Sequence, residues 1–167
     1  VPAMSGSTRI DVPAPEAAAF AQAGIAPATL KNYMVQNGLA LIVSRNVTTR
    51  DDADRQQPFN LKITGQSTQA LGGGGQIYDV RHMQLFQGDL IRGLGGTVSP
   101  GAGRRVLAQA MHDPAALAVN PPNATGPAGS VMLGNDGSMA AFVPARRAMT
   151  WQLTNSAGAG VVRERYW

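Results

Sequence analysis

The chain has 167 residues and a formal net charge of +4, and its composition is 44% hydrophobic but only 14% charged. It contains no cysteine, which excludes disulfides, thiolate metal sites, thiol nucleophiles and haem attachment through a C-x-x-C-H motif within these residues. The 20 glycines and 11 prolines indicate many turns, so short strands joined by loops are favoured over a helical bundle.

Residues 1–38 predict an N-terminal arm followed by two short helices. The first helix, "PAPEAAAFAQAG", has prolines near its first turn, Glu16 at the positive end of the helix dipole and Gly24 as its stop. The second, "APATLKNYMVQNG", stops at Gly38. We expect the two helices to form a small hairpin that covers one edge of a sheet.

From residue 39 onward the sequence pattern is typical of strands. The candidates are "LALIVS", "FNLKI", "QIYDVRHMQLF" and "VLAQAM". The third of these carries apolar residues on both alternating faces, which predicts a strand covered on both sides. The stretch "HDPAALAVNPPNATGPAG" predicts a long Pro-rich loop, and loops of that length often face a partner.

The last third predicts a run of antiparallel strands joined by hairpins, namely "GSVML", "SMAAFVP", "RAMTWQLT" and "VVRERYW". Trp151 is the expected anchor of a half-buried strand. The predicted fold is therefore mainly β, an antiparallel sandwich or partly open barrel with a small N-terminal helical hairpin. Residues 39–167 are expected to form the β domain and to continue residues 1–38 as one unit.

The basic residues are scattered along the chain and, apart from Lys31 and Lys62, are all arginines. Without a basic patch interleaved with aromatic residues, nucleic-acid binding is not expected. A membrane span is not expected either, since no apolar run approaches the ~20 residues that a membrane helix needs.

Two histidine–methionine neighbours are the candidates for chemistry: His82 with Met83, and Met111 with His112. His and Met are haem axial ligands and also suit copper, so His82 and His112 are candidate axial ligands and Met83 and Met111 candidate copper ligands. Adjacent strand residues point to opposite faces, which argues against His82 and Met83 sharing one metal. The plainer alternative for each pair is a hydrogen-bonded His beside a core Met. No G-x-S-x-G, H-x-x-x-H or H-E-x-x-H motif is present, so we do not expect the chain to be an enzyme by itself.

A family resemblance is carried by "DRQQPFNLKI", "IYDVRHMQLFQGDLIRG", "GRRVLAQAMHD" and the closing "GSMAAFVPARRAMTWQLTNSAGAGVVRERYW". From Asp54 onward the chain resembles the β-rich region of large secreted bacterial proteins related to the hydrazine synthase alpha subunit, which are multihaem c-type cytochrome-like proteins. In that family a C-x-x-C-H haem motif follows the strand that "VVRERYW" matches. This chain departs from the family in having no cysteine, and its ending on a patterned strand is what a fragment of a longer protein would give.

The resemblance implies a periplasmic or extracellular, non-catalytic β scaffold or docking module in a multihaem electron-transfer protein. Its partner would be a haem-bearing domain or subunit within a larger assembly, with haem c bound covalently there and not by this chain. His82 or His112 would lend an axial ligand to a neighbouring haem. Two alternatives remain open: a self-associating structural module of an assembly or filament, and a copper-binding periplasmic protein.

Overall fold

The fold is described from a computed structural model, over residues 14–48, 59–66, 76–93 and 104–163. These residues form three helices, α1 (Ala14–Gln22), α2 (Pro27–Asn37) and α3 (Pro114–Val119). They also form nine strands: β1 (Leu39–Ser44), β2 (Phe59–Ile63), β3 (Gln76–Val80), β4 (His82–Gly93), β5 (Arg104–Ala110), β6 (Ser130–Met132), β7 (Met139–Pro144), β8 (Ala148–Thr154) and β9 (Gly160–Arg163). The predicted mainly β class with N-terminal helices is confirmed.

The chain divides into two compact units, Val1–Asn37 and Gly38–Trp167. The first unit contains α1 and α2, and each helix is followed by a glycine with positive φ, +68° at Gly24 and +65° at Gly38. Glycine adopts this backbone conformation without steric cost and commonly terminates a helix. The two predicted helix stops are therefore confirmed. None of the helices in the described ranges is long and apolar enough to cross a membrane.

The second unit is built around a five-stranded antiparallel sheet with the order β5-β4-β8-β9, in which β6 also pairs with β4. Strand β4 is the centre of this sheet. Its first seven residues pair with β8 along one edge. Along its other edge, residues 82–84 pair with β6 and residues from Phe86 onward pair with β5. Two strands therefore lie end to end along one side of β4.

Leu85 lies where these two strands meet. Its N–H donates to the carbonyl of Gly129 at 3.0 Å, and its carbonyl accepts from the N–H of Met111 at 2.8 Å. Gly129 has a φ of +69°, and a Cβ built on it would lie 2.5 Å from the backbone nitrogen of Met111. The close approach of the two incoming segments to Leu85 therefore requires glycine at position 129.

Around the start of β4 the sheet has an apolar and a polar face, and both are buried. The apolar face carries buried aliphatic and thioether side chains: Met83, Leu85, Val131 and Leu153. The opposite face carries buried polar side chains: His82, Gln84, Thr150 and Thr154. Gln152 donates through Nε2 to Gln84 Oε1 at 2.7 Å, and Gln84 donates to the Ala128 carbonyl at 2.9 Å. The expectation that the stretch "QIYDVRHMQLF" is covered on both sides is confirmed for residues 82–85, but it is wrong for the exposed residues 76–79.

Two smaller sheets complete the described part of the second unit. β1 pairs antiparallel with β7, and β2 pairs parallel with β3. The stretch "QIYDVRHMQLF", predicted as one strand, is split at Arg81 between β3 and β4, which lie in different sheets. At the break, the Arg81 N–H donates to the Thr154 carbonyl at 2.7 Å and its carbonyl accepts from Leu133 at 3.0 Å.

Three further expectations need correction. The predicted run of hairpins is wrong for β6, β7 and β8, because β7 pairs with β1 while β6 and β8 both pair with β4. The predicted loop after Met111 contains α3, whose first turn is capped by Asp113, since Asp113 Oδ1 accepts from the Ala116 N–H at 3.0 Å. Trp151 is not a buried anchor, because 38% of its surface is exposed.

Candidate functional site

His112 lies at the surface with both ring nitrogens close to oxygen atoms. Its side chain is 49% exposed. Nδ1 lies 3.0 Å from the carbonyl oxygen of Ala110, and Nε2 lies 3.2 Å from Asp89 Oδ2. Because a carbonyl oxygen only accepts hydrogen bonds, Nδ1 carries a hydrogen in this arrangement. The ring orientation of His112 is therefore fixed by the backbone of its own segment.

Asp89 reaches His112 because β4 is irregular at this point. The pairing of β4 with β5 shifts register between Gly88 and Leu90, which leaves Asp89 without an opposite residue on β5. Such a bulge bends the strand and redirects the side chain of the extra residue. Asp89 Oδ1 accepts a hydrogen bond from Gln87 Nε2 at 2.8 Å, which leaves Oδ2 to face the imidazole.

The His112 arrangement has a chemical consequence for its second nitrogen. With Nδ1–H held by a backbone carbonyl, the lone pair of the neutral ring lies on Nε2, the nitrogen that faces Asp89. This tautomer is the one used by metal-ligating histidines that donate through Nδ1. The Asp89 carboxylate competes for the same nitrogen, since it can accept a hydrogen bond from Nε2 when the ring is protonated. His112 can therefore serve as a ligand or as half of an ion pair, but not as both at once.

His82 occupies a different environment, at the first residue of β4. It is 1% exposed, and neither of its ring nitrogens has a hydrogen-bond partner in the part of the chain that the structure describes. Burial lowers the pKa of His82 below its ordinary value, because the charged ring loses solvation. The positive charge on Arg81 lowers the pKa further. The backbone of Asn155 lies near the ring without forming a hydrogen bond of good geometry, and it raises the pKa in part. The neutral form of His82 is therefore favoured, and the ring offers no exposed nitrogen to a neighbouring domain.

The two methionines are both buried. Met83 lies on the apolar face of β4, opposite to the face that carries His82, as the alternation predicts. Met111 is buried where its backbone bonds to Leu85, while its neighbour His112 is exposed. In each pair the thioether and the imidazole thus lie in different environments, and neither pair brings its sulfur and nitrogen to a common surface.

The structure does not bring the two histidines together. His82 begins β4 and His112 contacts Asp89, seven residues further along the strand, so the Cα atoms of His82 and Asp89 are on the order of 20 Å apart. Within the described ranges, no three His, Cys, Asp or Glu residues form a group that could hold a metal ion. Any role for these histidines in binding a metal centre therefore involves ligands from outside this part of the chain.

The sequence pattern did not single out Asp89 or Thr154, the residues that define the surroundings of the two histidines. A bulge is not visible in a pattern of period two, and the pairing of Thr154 with His82 depends on the register of two strands whose paired residues are 72 positions apart in the sequence. Near His112 the sequence carries one local signal, the Asp113-Pro114 pair, which indicates that a helix begins just after this histidine.

Comparisons with known proteins gave no match: the chain matches no protein-family model, no curated protein and no solved structure.

Proposed function

We propose that the chain is a non-catalytic β docking module of a secreted multihaem electron-transfer protein, located in the periplasm or outside the cell. In this proposal a haem-bearing domain or subunit docks beside His112. The observation that supports it is the geometry of His112, an exposed imidazole whose ring is oriented by the carbonyl of Ala110. The family resemblance of the sequence supplies the class of partner.

The proposed contact uses one atom of this chain, His112 Nε2. The bond from Nδ1–H to the Ala110 carbonyl would hold the ring in place, and Nε2, which faces Asp89 in this structure, would be the atom that ligates a neighbouring haem. The hydrogen bond from Gln87 would hold Asp89 through its other carboxylate oxygen. A c-type haem supplies one-electron transfer when bound, and its covalent attachment belongs to the partner because this chain has no cysteine.

A haem titration of the purified chain tests the ligand role of His112. Ferric haem added to the wild-type chain is expected to show the shifted Soret band of a histidine-ligated iron. The His112→Ala variant should lose this shift, and the matched His82→Phe variant should keep it, because His82 has no exposed nitrogen. A Soret band that is the same for wild type and His112→Ala would remove the ligand role.

A second variant tests the competition at Nε2. Replacing Asp89 by Asn keeps the shape of the side chain but removes the negative charge that faces His112. If Asp89 competes with iron for Nε2, the Asp89→Asn variant should bind ferric haem more tightly than the wild type. Equal or weaker binding would show that the carboxylate does not control access to His112.

The exposed strand β1 favours a second candidate, a self-associating structural module. β1 has the sequence "LALIVS", without a charged residue, and Val43 on it is 50% exposed. It pairs with β7 on one edge, and no other strand of the described residues pairs with it. Uncharged apolar edge strands tend to pair with a second chain. Light scattering tests this: Val43→Lys should convert an oligomer to monomer, while Ile77→Lys, an equally exposed position on β3, should not.

A further inference from the structure

At one end of the central sheet, where β4 begins and β8 ends, three buried polar atoms have no hydrogen-bond partner among the described residues. They are His82 Nδ1, His82 Nε2 and Thr154 Oγ1. His82 is 1% exposed and Thr154 is 0% exposed, so bulk solvent does not reach either side chain. Buried polar groups in folded proteins are nearly always bonded, either to protein groups or to ordered water. This end of the sheet therefore has hydrogen-bonding capacity that its own side chains do not use.

The two residues are direct partners across the β4–β8 pair. Directly opposite residues share a face of the sheet, with Cβ atoms ~4.5–5.5 Å apart. At that spacing an imidazole and a hydroxyl can reach a common point, but the two side chains make no direct hydrogen bond. A water molecule bound between them would satisfy an atom of each residue, and an internal water needs 2–4 such partners.

We propose that His82 and Thr154 form a binding site for an internal water molecule that bridges an imidazole nitrogen to Thr154 Oγ1. The neutral imidazole has one donor and one acceptor nitrogen, and the hydroxyl can donate or accept, so a water can bond to both in either tautomer. The hydrogen bond from the Arg81 N–H to the Thr154 carbonyl, at 2.7 Å, lies at the same end of the sheet as the proposed site.

The site would connect the start of β4 to the end of β8 through side chains as well as through the backbone. This role is independent of haem binding, since it concerns a histidine that is closed to neighbouring domains. It also gives a reason for a buried histidine at this position that requires no ligand other than water. The backbone of Asn155 also lies near the ring of His82.

Replacing Thr154 by Val tests the proposal, because Val has the shape of Thr without the hydroxyl. If a water bridges the two residues, Thr154→Val loses the bridge and its melting temperature should fall by about 2–4 °C. If Thr154 Oγ1 is unbonded, the same change removes an unsatisfied buried hydroxyl and the melting temperature should rise. A rise would overturn the proposal. Thr154→Ser, which keeps the hydroxyl, is the matched control and should retain the water.

A direct observation separates the site from general effects on packing. In a high-resolution crystal structure of the wild-type chain, we expect density for a water within hydrogen-bond distance of Thr154 Oγ1 and one nitrogen of His82, and no such density in Thr154→Val. Magnetisation transfer from water to the His82 ring protons gives the same information in solution. A dry site in the wild-type structure would rule the proposal out, whatever the variants do to stability.

Discussion

The carboxamide of Asn120 makes two hydrogen bonds to the backbone of Phe142. Asn120 Nδ2 donates to the Phe142 carbonyl at 2.7 Å, and Asn120 Oδ1 accepts from the Phe142 N–H at 2.8 Å. Asn120 is also the C-terminal cap of α3, since its own N–H donates to the Ala116 carbonyl at 3.1 Å. One side chain therefore joins the end of α3 to β7, on the edge of that strand away from β1.

We expect Asn120→Ala to lower the free energy of unfolding by about 1–3 kcal/mol, because it removes both hydrogen bonds between the Asn120 side chain and the backbone of Phe142. Urea denaturation of the purified chain measures this. Asn120→Asp is the matched variant: it keeps an acceptor for the Phe142 N–H but places a carboxylate oxygen against the Phe142 carbonyl in a buried position, so at neutral pH it should destabilise the chain at least as much as Ala. A change below about 0.5 kcal/mol for Ala would contradict the bonding role, since that is the usual effect of a neutral surface substitution.

Replacing Gly129 should be far more damaging than replacing Gly158, although both have positive φ, +69° and +79°. A Cβ at Gly129 would lie 2.5 Å from the Met111 nitrogen, whereas the nearest atom to a Cβ at Gly158 is 3.7 Å away. Gly158→Ala therefore carries only the backbone cost of about 1–2 kcal/mol. We expect Gly129→Ala to lower the free energy of unfolding by more than about 3 kcal/mol. Equal losses by chemical denaturation would show that the contact at Leu85 tolerates a methyl group.

The stability of the chain should fall as the pH drops below about 6.5. Burial lowers the pKa of His82 in the folded state from 6.5, so the unfolded state takes up a proton in this range before the folded state does. The contribution of His82 is thus fully present above pH 6.5 and is lost as the pH falls toward the lower folded pKa. Measuring unfolding free energies across this range for wild type and His82→Phe isolates the effect. The same pH slope in both proteins would show that His82 is not its source.

The Asp89–His112 pair should contribute little to stability, in contrast to its proposed role at the surface. The two side chains are 35% and 49% exposed, and exposed ion pairs contribute about 0–1 kcal/mol. A double-mutant cycle with Asp89→Asn and His112→Gln measures the coupling, which should shrink further in concentrated salt. A coupling above about 2 kcal/mol would mean that the pair is structural and not available for exchange with a partner.

Most strand positions could be predicted from the alternation of apolar residues, but their partners could not. β7 illustrates the reason: its sequence is a clear strand, yet it pairs with β1, which is about a hundred positions earlier in the chain. A period of two indicates that a segment is extended and says nothing about which segment lies beside it. For the same reason, the parallel pairing of β2 with β3 could not be predicted from the sequence.

Burial was harder to predict than secondary structure. On β8 the alternation placed Trp151 and Leu153 on one face, and both do lie on the face of Leu85, but only Leu153 is buried. A strand can be covered along part of its length, and the extent of cover depends on tertiary packing. For the candidate site, the two histidines were found from composition, while the bulge that brings Asp89 to His112 depends on the pairing with β5.

The two backbone hydrogen bonds at Leu85 hold both ends of the segment between Met111 and Gly129 at one position of the sheet. Met111 and Gly129, which bound the segment containing His112 and α3, bond to the same residue of β4, so this segment leaves the sheet and returns to it at a single position. The exposed part of the segment can therefore vary without displacing a strand, provided that Asn120 and the buried Ala116, which hold α3 to β7, are kept. A related protein could recognise a different partner by changing only that exposed part.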